Sequence, residues 1–81
     1  MTTAMKEYFG IRPATVEEIA IFNKIEALLT DDNFDTVLDI VNEFAFAYGQ
    51  ERRKAYNKAY RLGKKLGVTV KELETWYWVE A

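Results

Sequence analysis

With 81 residues and no cysteine, 49% hydrophobic and 30% charged, the chain has the make-up of one small globular domain rather than a disordered segment or a disulfide scaffold. The formal charge of −2 runs against the basic footprint of a nucleic-acid binder, and His and Ser are missing along with Cys, which removes the usual nucleophiles and the proton shuttle. No catalytic residue, cofactor or metal is expected. The start lacks the basic, apolar run of a secretory signal, and Phe44-Ala45-Phe46-Ala47-Tyr48 is too short to span a bilayer, so a cytoplasmic protein without a membrane partner is expected.

Residues 1–14 show no helical periodicity, and Pro13 biases Arg12 toward extended backbone, so this stretch reads as a leader. Thr15-Val16-Glu17-Glu18 fits a capping box, and Ile19, Phe22, Ile25 and Leu29 follow at helical spacing, which predicts a first helix over residues 16–29. Thr30-Asp31-Asp32-Asn33 competes for backbone hydrogen bonds and breaks it. Val37, Val41, Phe44 and Tyr48 mark a second helix over residues 33–48, with Gly49 as a left-handed cap. Ala55, Ala59, Leu62 and Leu66 mark a third over residues 51–66, stopped by Gly67.

A second capping box, Thr69-Val70-Lys71-Glu72, opens a short fourth helix over residues 70–78, and Val68 is placed to staple onto Leu73. Trp76-Tyr77-Trp78-Val79 has high β-propensity, so an extended tail pairing with Tyr8-Phe9-Gly10-Ile11 competes with that helix. The fold expected is all-α, a small bundle of three long helices plus this short C-terminal helix or aromatic tail.

Between Ala59 and Trp78, Gly63 offers a close approach, Gly67 a left-handed turn, Val68 a corner plug, and Leu62, Leu66, Leu73 and Trp76 a shared core. This quarter of the chain resembles the helix-turn-helix of phage repressor and Cro-type regulators. The resemblance implies a recognition helix from Val70 that presents Lys71, Glu72, Glu74 and Thr75 to a major groove, with Lys64 and Lys65 also in contact with the DNA. The sequence departs from that pattern in its two glutamates, which repel phosphate.

Seven basic residues and no acid lie between Arg52 and Lys65, while the rest of the chain is acidic. Lys54, Lys58, Arg61 and Lys65 recur at helical spacing as a stripe, suited to phosphates or an acidic partner. The second helix carries a matching acidic stripe. If the two helices fold back antiparallel about Gly49, the expected rungs are Glu43 with Lys54, Asp39 with Lys58, Asp35 with Arg61 and Asp32 with Lys65.

Asp31, Asn33 and Asp35 match the opening of a calcium loop, but Thr36 stands where its glycine belongs and Asn42 where its closing glutamate belongs, so the cluster reads as helix capping. Trp76 and Trp78 lie about 200° apart on a helix. If Trp76 faces the core, Trp78 points away and suits a binding or dimer contact; an extended tail would instead tuck both inward.

Two functions follow. The first is a small non-enzymatic interaction protein, of inhibitor or adaptor type, that binds a protein partner through Lys54, Lys58, Arg61 and Lys65 and an aromatic end at Tyr77 and Trp78, as a homodimer or weak oligomer. The alternative is a helix-turn-helix regulator of phage or plasmid type that reads DNA through Lys71, Thr75, Lys64 and Lys65.

Overall fold

A computed structural model describes residues 7–8 and 12–80. Two short strands, β1 (Glu7–Tyr8) and β2 (Arg12–Pro13), precede four helices, α1 (Val16–Glu26), α2 (Phe34–Phe46), α3 (Gln50–Leu66) and α4 (Val70–Glu80). The expected all-α bundle is what forms, and the last element is helix throughout. Tyr8 pairs antiparallel with Arg12 rather than with the C-terminal aromatics; Phe9, Gly10 and Ile11 of the alternative pairing lie outside the described residues.

The helix starts follow from local chemistry. Thr15 Oγ1 accepts the Glu18 amide at 3.1 Å while Glu18 accepts the Thr15 amide at 2.9 Å, and Thr69 and Glu72 repeat the exchange at 3.1 and 2.9 Å. α1 ends at Glu26, a turn earlier than its apolar spacing suggests. There Leu28 and Leu29 switch to three-residue bonds onto Ile25 and Glu26, and Asn33 Oδ1 draws in the Thr30 amide at 2.7 Å. The Asn33 side chain is therefore spent on closing this loop.

α2 ends at Phe46 because Ala47 turns extended, at ψ 155°, which carries Tyr48 off the apolar face and leaves it 85% exposed. Gly49 has the expected positive φ, but at φ 66° and ψ −139° it leads into α3 rather than capping α2, a correction to the expected role. Gly67 is the left-handed cap of α3 at φ 82° and ψ 29°, with the Gly67 and Val68 amides both donating to the Gly63 carbonyl at 2.7 and 2.9 Å.

α4 is the central element. It packs against α1, α2, α3 and β1, whereas α3 touches α2 and α4 and does not reach α1. Trp76, Ile25, Leu73, Val37 and Val41 are the largest fully buried side chains, drawn from α1, α2 and α4. α3 contributes only Ala55, Ala59 and Gly63 as buried residues, so it lies close against its neighbours with most of its circumference in water.

Arg12 ties β2 to α1 by a two-pronged bond to Glu18 at 2.9 and 2.8 Å. That guanidinium, followed by the Thr15 amide, lowers the Glu18 carboxyl from 4.5 to about 2. A depressed carboxyl contributes stability that is present above its ordinary value and lost as pH falls through about 2. Carboxyl-detected NMR titration is expected to place Glu18 near 2 in the native protein and to move it up in Arg12→Ala, though still below the ordinary 4.5 because the Thr15 amide remains. An unchanged Glu18 titration in that variant would dismiss the pair.

Candidate surface for partner recognition

α3 offers seven basic side chains against one acid, Glu51, which leaves the remainder of the chain with four basic against twelve acidic residues. Lys54, Lys58, Arg61, Lys64 and Lys65 are all exposed. Like charges one turn apart repel by about 0.2–0.5 kcal/mol per pair, so this spacing costs helix stability unless an anion meets it.

Among the described residues none of the four expected rungs across α2 and α3 forms, and one pair outside that register takes their place. Glu43 reaches Lys58 at 3.3 Å, one turn beyond the Lys54 expected for it, and among the described residues no carboxylate lies within 4.0 Å of Lys54, Arg61 or Lys65. Packed helices cross at an angle set by their interlocking side chains, so residues equidistant from the turn need not face each other. Both members of this pair are about half exposed, so it is worth under about 1 kcal/mol. A double-mutant cycle in urea is expected to show weak coupling between Glu43 and Lys58 and none between Asp39 and Lys58. Equal coupling at both pairs would restore the original register.

Arg52 belongs to the core side instead. Its guanidinium lies 4.0 Å from the Phe44 ring centre, donates to the Phe44 carbonyl at 2.9 Å and meets Glu74 at 3.4 Å. Tyr56 and Tyr60, exposed one turn apart, stack with centroids 6.3 Å apart, and Lys64 sits 5.7 Å over the Tyr60 ring. This cationic and aromatic strip was missed in the sequence, where the step of four from Arg52 through Tyr56 and Tyr60 to Lys64 is its signal.

At the opposite end of α4, Trp78 packs edge-on against Phe46 at 5.7 Å and Tyr77 at 5.1 Å, and Tyr77 reaches Phe46 at 6.1 Å. The Tyr77 hydroxyl donates to Asn42 Oδ1. Tyr77 and Trp78 are half-buried, and Phe46, packed against them from α2, is the more open ring at 61% exposure. The aromatic end is therefore built as much by α2 as by α4.

Of the residues implied by the helix-turn-helix resemblance, Lys71 is exposed, as are Lys64 and Lys65, but Thr75 is only 9% exposed. Glu72 is engaged by Thr69 and by Lys24 at 2.9 Å, and its carboxyl is lowered first by the Thr69 amide and then by Lys24. Among its described side chains, α4 exposes only Lys71 fully. Among the described residues, no helix is long and apolar enough to cross a membrane, and no group of three or more acidic side chains converges as a metal site. Comparison with protein-family models, curated proteins and solved structures gives no match for the chain.

Proposed function

We propose that this chain is a small non-enzymatic interaction protein that binds an acidic macromolecular partner, most simply a protein in the cytoplasm, through the outer face of α3. The observation that carries this reading is the set of open cations at Lys54, Arg61 and Lys65, which meet no carboxylate among the described residues. Their mutual repulsion costs the isolated helix and is relieved by an external anion. The aromatic end at Phe46, Tyr77 and Trp78 serves as a second contact, either for the same partner or for a homodimer.

The test is affinity capture with the purified protein and a Lys54→Glu/Arg61→Glu variant, at low and high salt. Capture that is lost in the variant and weakened by salt supports the reading. Identical capture by both proteins would rule out the α3 face.

The second reading, a helix-turn-helix regulator, is favoured by one observation, the left-handed Gly67 turn that joins α3 to α4 with Lys71 open at the start of α4. The burial of Thr75 and the internal engagement of Glu72 count against it. A low-salt mobility shift with mixed-sequence duplex DNA, abolished by Lys64→Glu/Lys71→Glu, would transfer the proposal to DNA.

A further inference from the structure

Between α2 and α3 runs a groove of about 240 Å³ lined by Thr36, Ile40, Lys58, Arg61, Leu62 and Lys65. Its two apolar side chains, Ile40 from α2 and Leu62 from α3, are half-buried, while the three cations and Thr36 are exposed around them. Lys58, Arg61 and Lys65 follow at steps of three and four, so they line one lip over about 10 Å of helix. Arg61 and Lys65 meet no carboxylate within 4.0 Å among the described residues, and Lys58 meets only Glu43, at 3.3 Å.

We infer that this groove is a docking site for an acidic amphipathic peptide segment, with an aliphatic side chain seated on Ile40 and Leu62 and carboxylates set against Lys58, Arg61 and Lys65. Charge complementarity fixes the sign of the occupant, and the floor fixes its class. A nucleic-acid strand brings phosphates but no branched aliphatic side chain, and its bases need aromatic platforms, which this groove lacks; the stacked Tyr56 and Tyr60 are not among its lining residues. A helical peptide with an aliphatic residue between carboxylates spaced by one turn satisfies both the floor and the lip. Glu43 competes for Lys58, so it acts as a brake on binding.

The inference rests on the α3 face being the binding surface, and the experiment separates the two. The probe is a fluorescein-labelled acidic peptide with leucines between glutamates, measured by anisotropy beside its leucine-to-serine analogue and an oligothymidylate of similar charge. The wild-type protein is expected to bind the leucine peptide most tightly. Thr36→Trp, which fills the groove without changing charge, and Arg61→Glu/Lys65→Glu are each expected to weaken it about tenfold or more, with unchanged circular dichroism and melting. Glu43→Gln is expected to tighten binding, which keeps the test independent of any loss of folding.

Peptide binding that survives Thr36→Trp but falls with the charge reversal would overturn the groove while leaving the α3 face in place. Tighter, groove-independent binding of the oligothymidylate would also overturn it, in favour of nucleic acid. So would a concentration-dependent dimer that Arg61→Glu/Lys65→Glu dissociates, since a second copy would then occupy the site. If no probe responds to the charge reversal, both the groove and the α3 face fall.

Discussion

Trp76→Ala is expected to cost the domain a large share of its stability. Trp76 has no exposed surface, and it shares its core with Phe22, Ile25, Val37, Val41, Leu73 and Val79. Its ring meets Phe34 edge-on with centroids 6.3 Å apart, and its Nε1 donates to Glu26 Oε2 at 2.8 Å. Truncating a buried tryptophan costs about 3–5 kcal/mol. At roughly 0.05–0.15 kcal/mol per residue, a domain of this size holds only about 4–12 kcal/mol in total. Melting by circular dichroism should therefore fall by more than about 12 °C, or lose its cooperative transition altogether. Trp76→Phe keeps most of the buried area and loses the bond to Glu26, so it should cost clearly less. A melting point within a few degrees of wild type in Trp76→Ala would mean that α4 is not the centre of the fold.

The second large effect is expected from the mildest of substitutions, Gly63→Ala. In an exposed helix interior this change would gain about 1 kcal/mol of propensity. Here the added Cβ would stand 2.5 Å from the Val68 carbonyl oxygen and 3.7 Å from Leu73 Cδ1. The second distance is ordinary contact; the first requires something to move. Val68 cannot yield cheaply, because its own amide and that of Gly67 both hold the Gly63 carbonyl, fixing the turn into α4. Overpacking of this kind costs about 1–3 kcal/mol, so the clash is expected to outweigh propensity. Urea denaturation should show a net loss of up to about 2 kcal/mol with an unchanged slope. A gain in stability would show that α3 and the α4 turn do not approach so closely.

Helix placement was legible in the sequence because its causes are local. Thr15 with Glu18 and Thr69 with Glu72 satisfy each other's amides within four residues, Gly67 supplies its own left-handed turn, and the apolar steps through α2 and α3 need no partner to be counted. The basic face of α3 was legible for the same reason. The boundaries that moved, at Glu26 and Phe46, moved where a loop captured the chain through contacts that no periodicity encodes.

What the tertiary structure decided is how these helices face one another. Charges repeated at every turn match a facing stripe equally well after a slip of one turn, so spacing could not choose between Lys54 and Lys58 as the partner of Glu43; the packing of α2 against α3 chose. The β-propensity of Trp76-Tyr77-Trp78-Val79 gave way because α4 is covered by α1, α2, α3 and β1, and burial of Trp76 and Val79 outweighs local preference. The same placement buried Thr75, gathered Phe46 against Tyr77 and Trp78, and set Ile40 beside Leu62 beneath open cations. Each of these joins residues distant in the chain, and their contact depends on helix crossings fixed by close packing of the whole core, which no local stretch of sequence specifies.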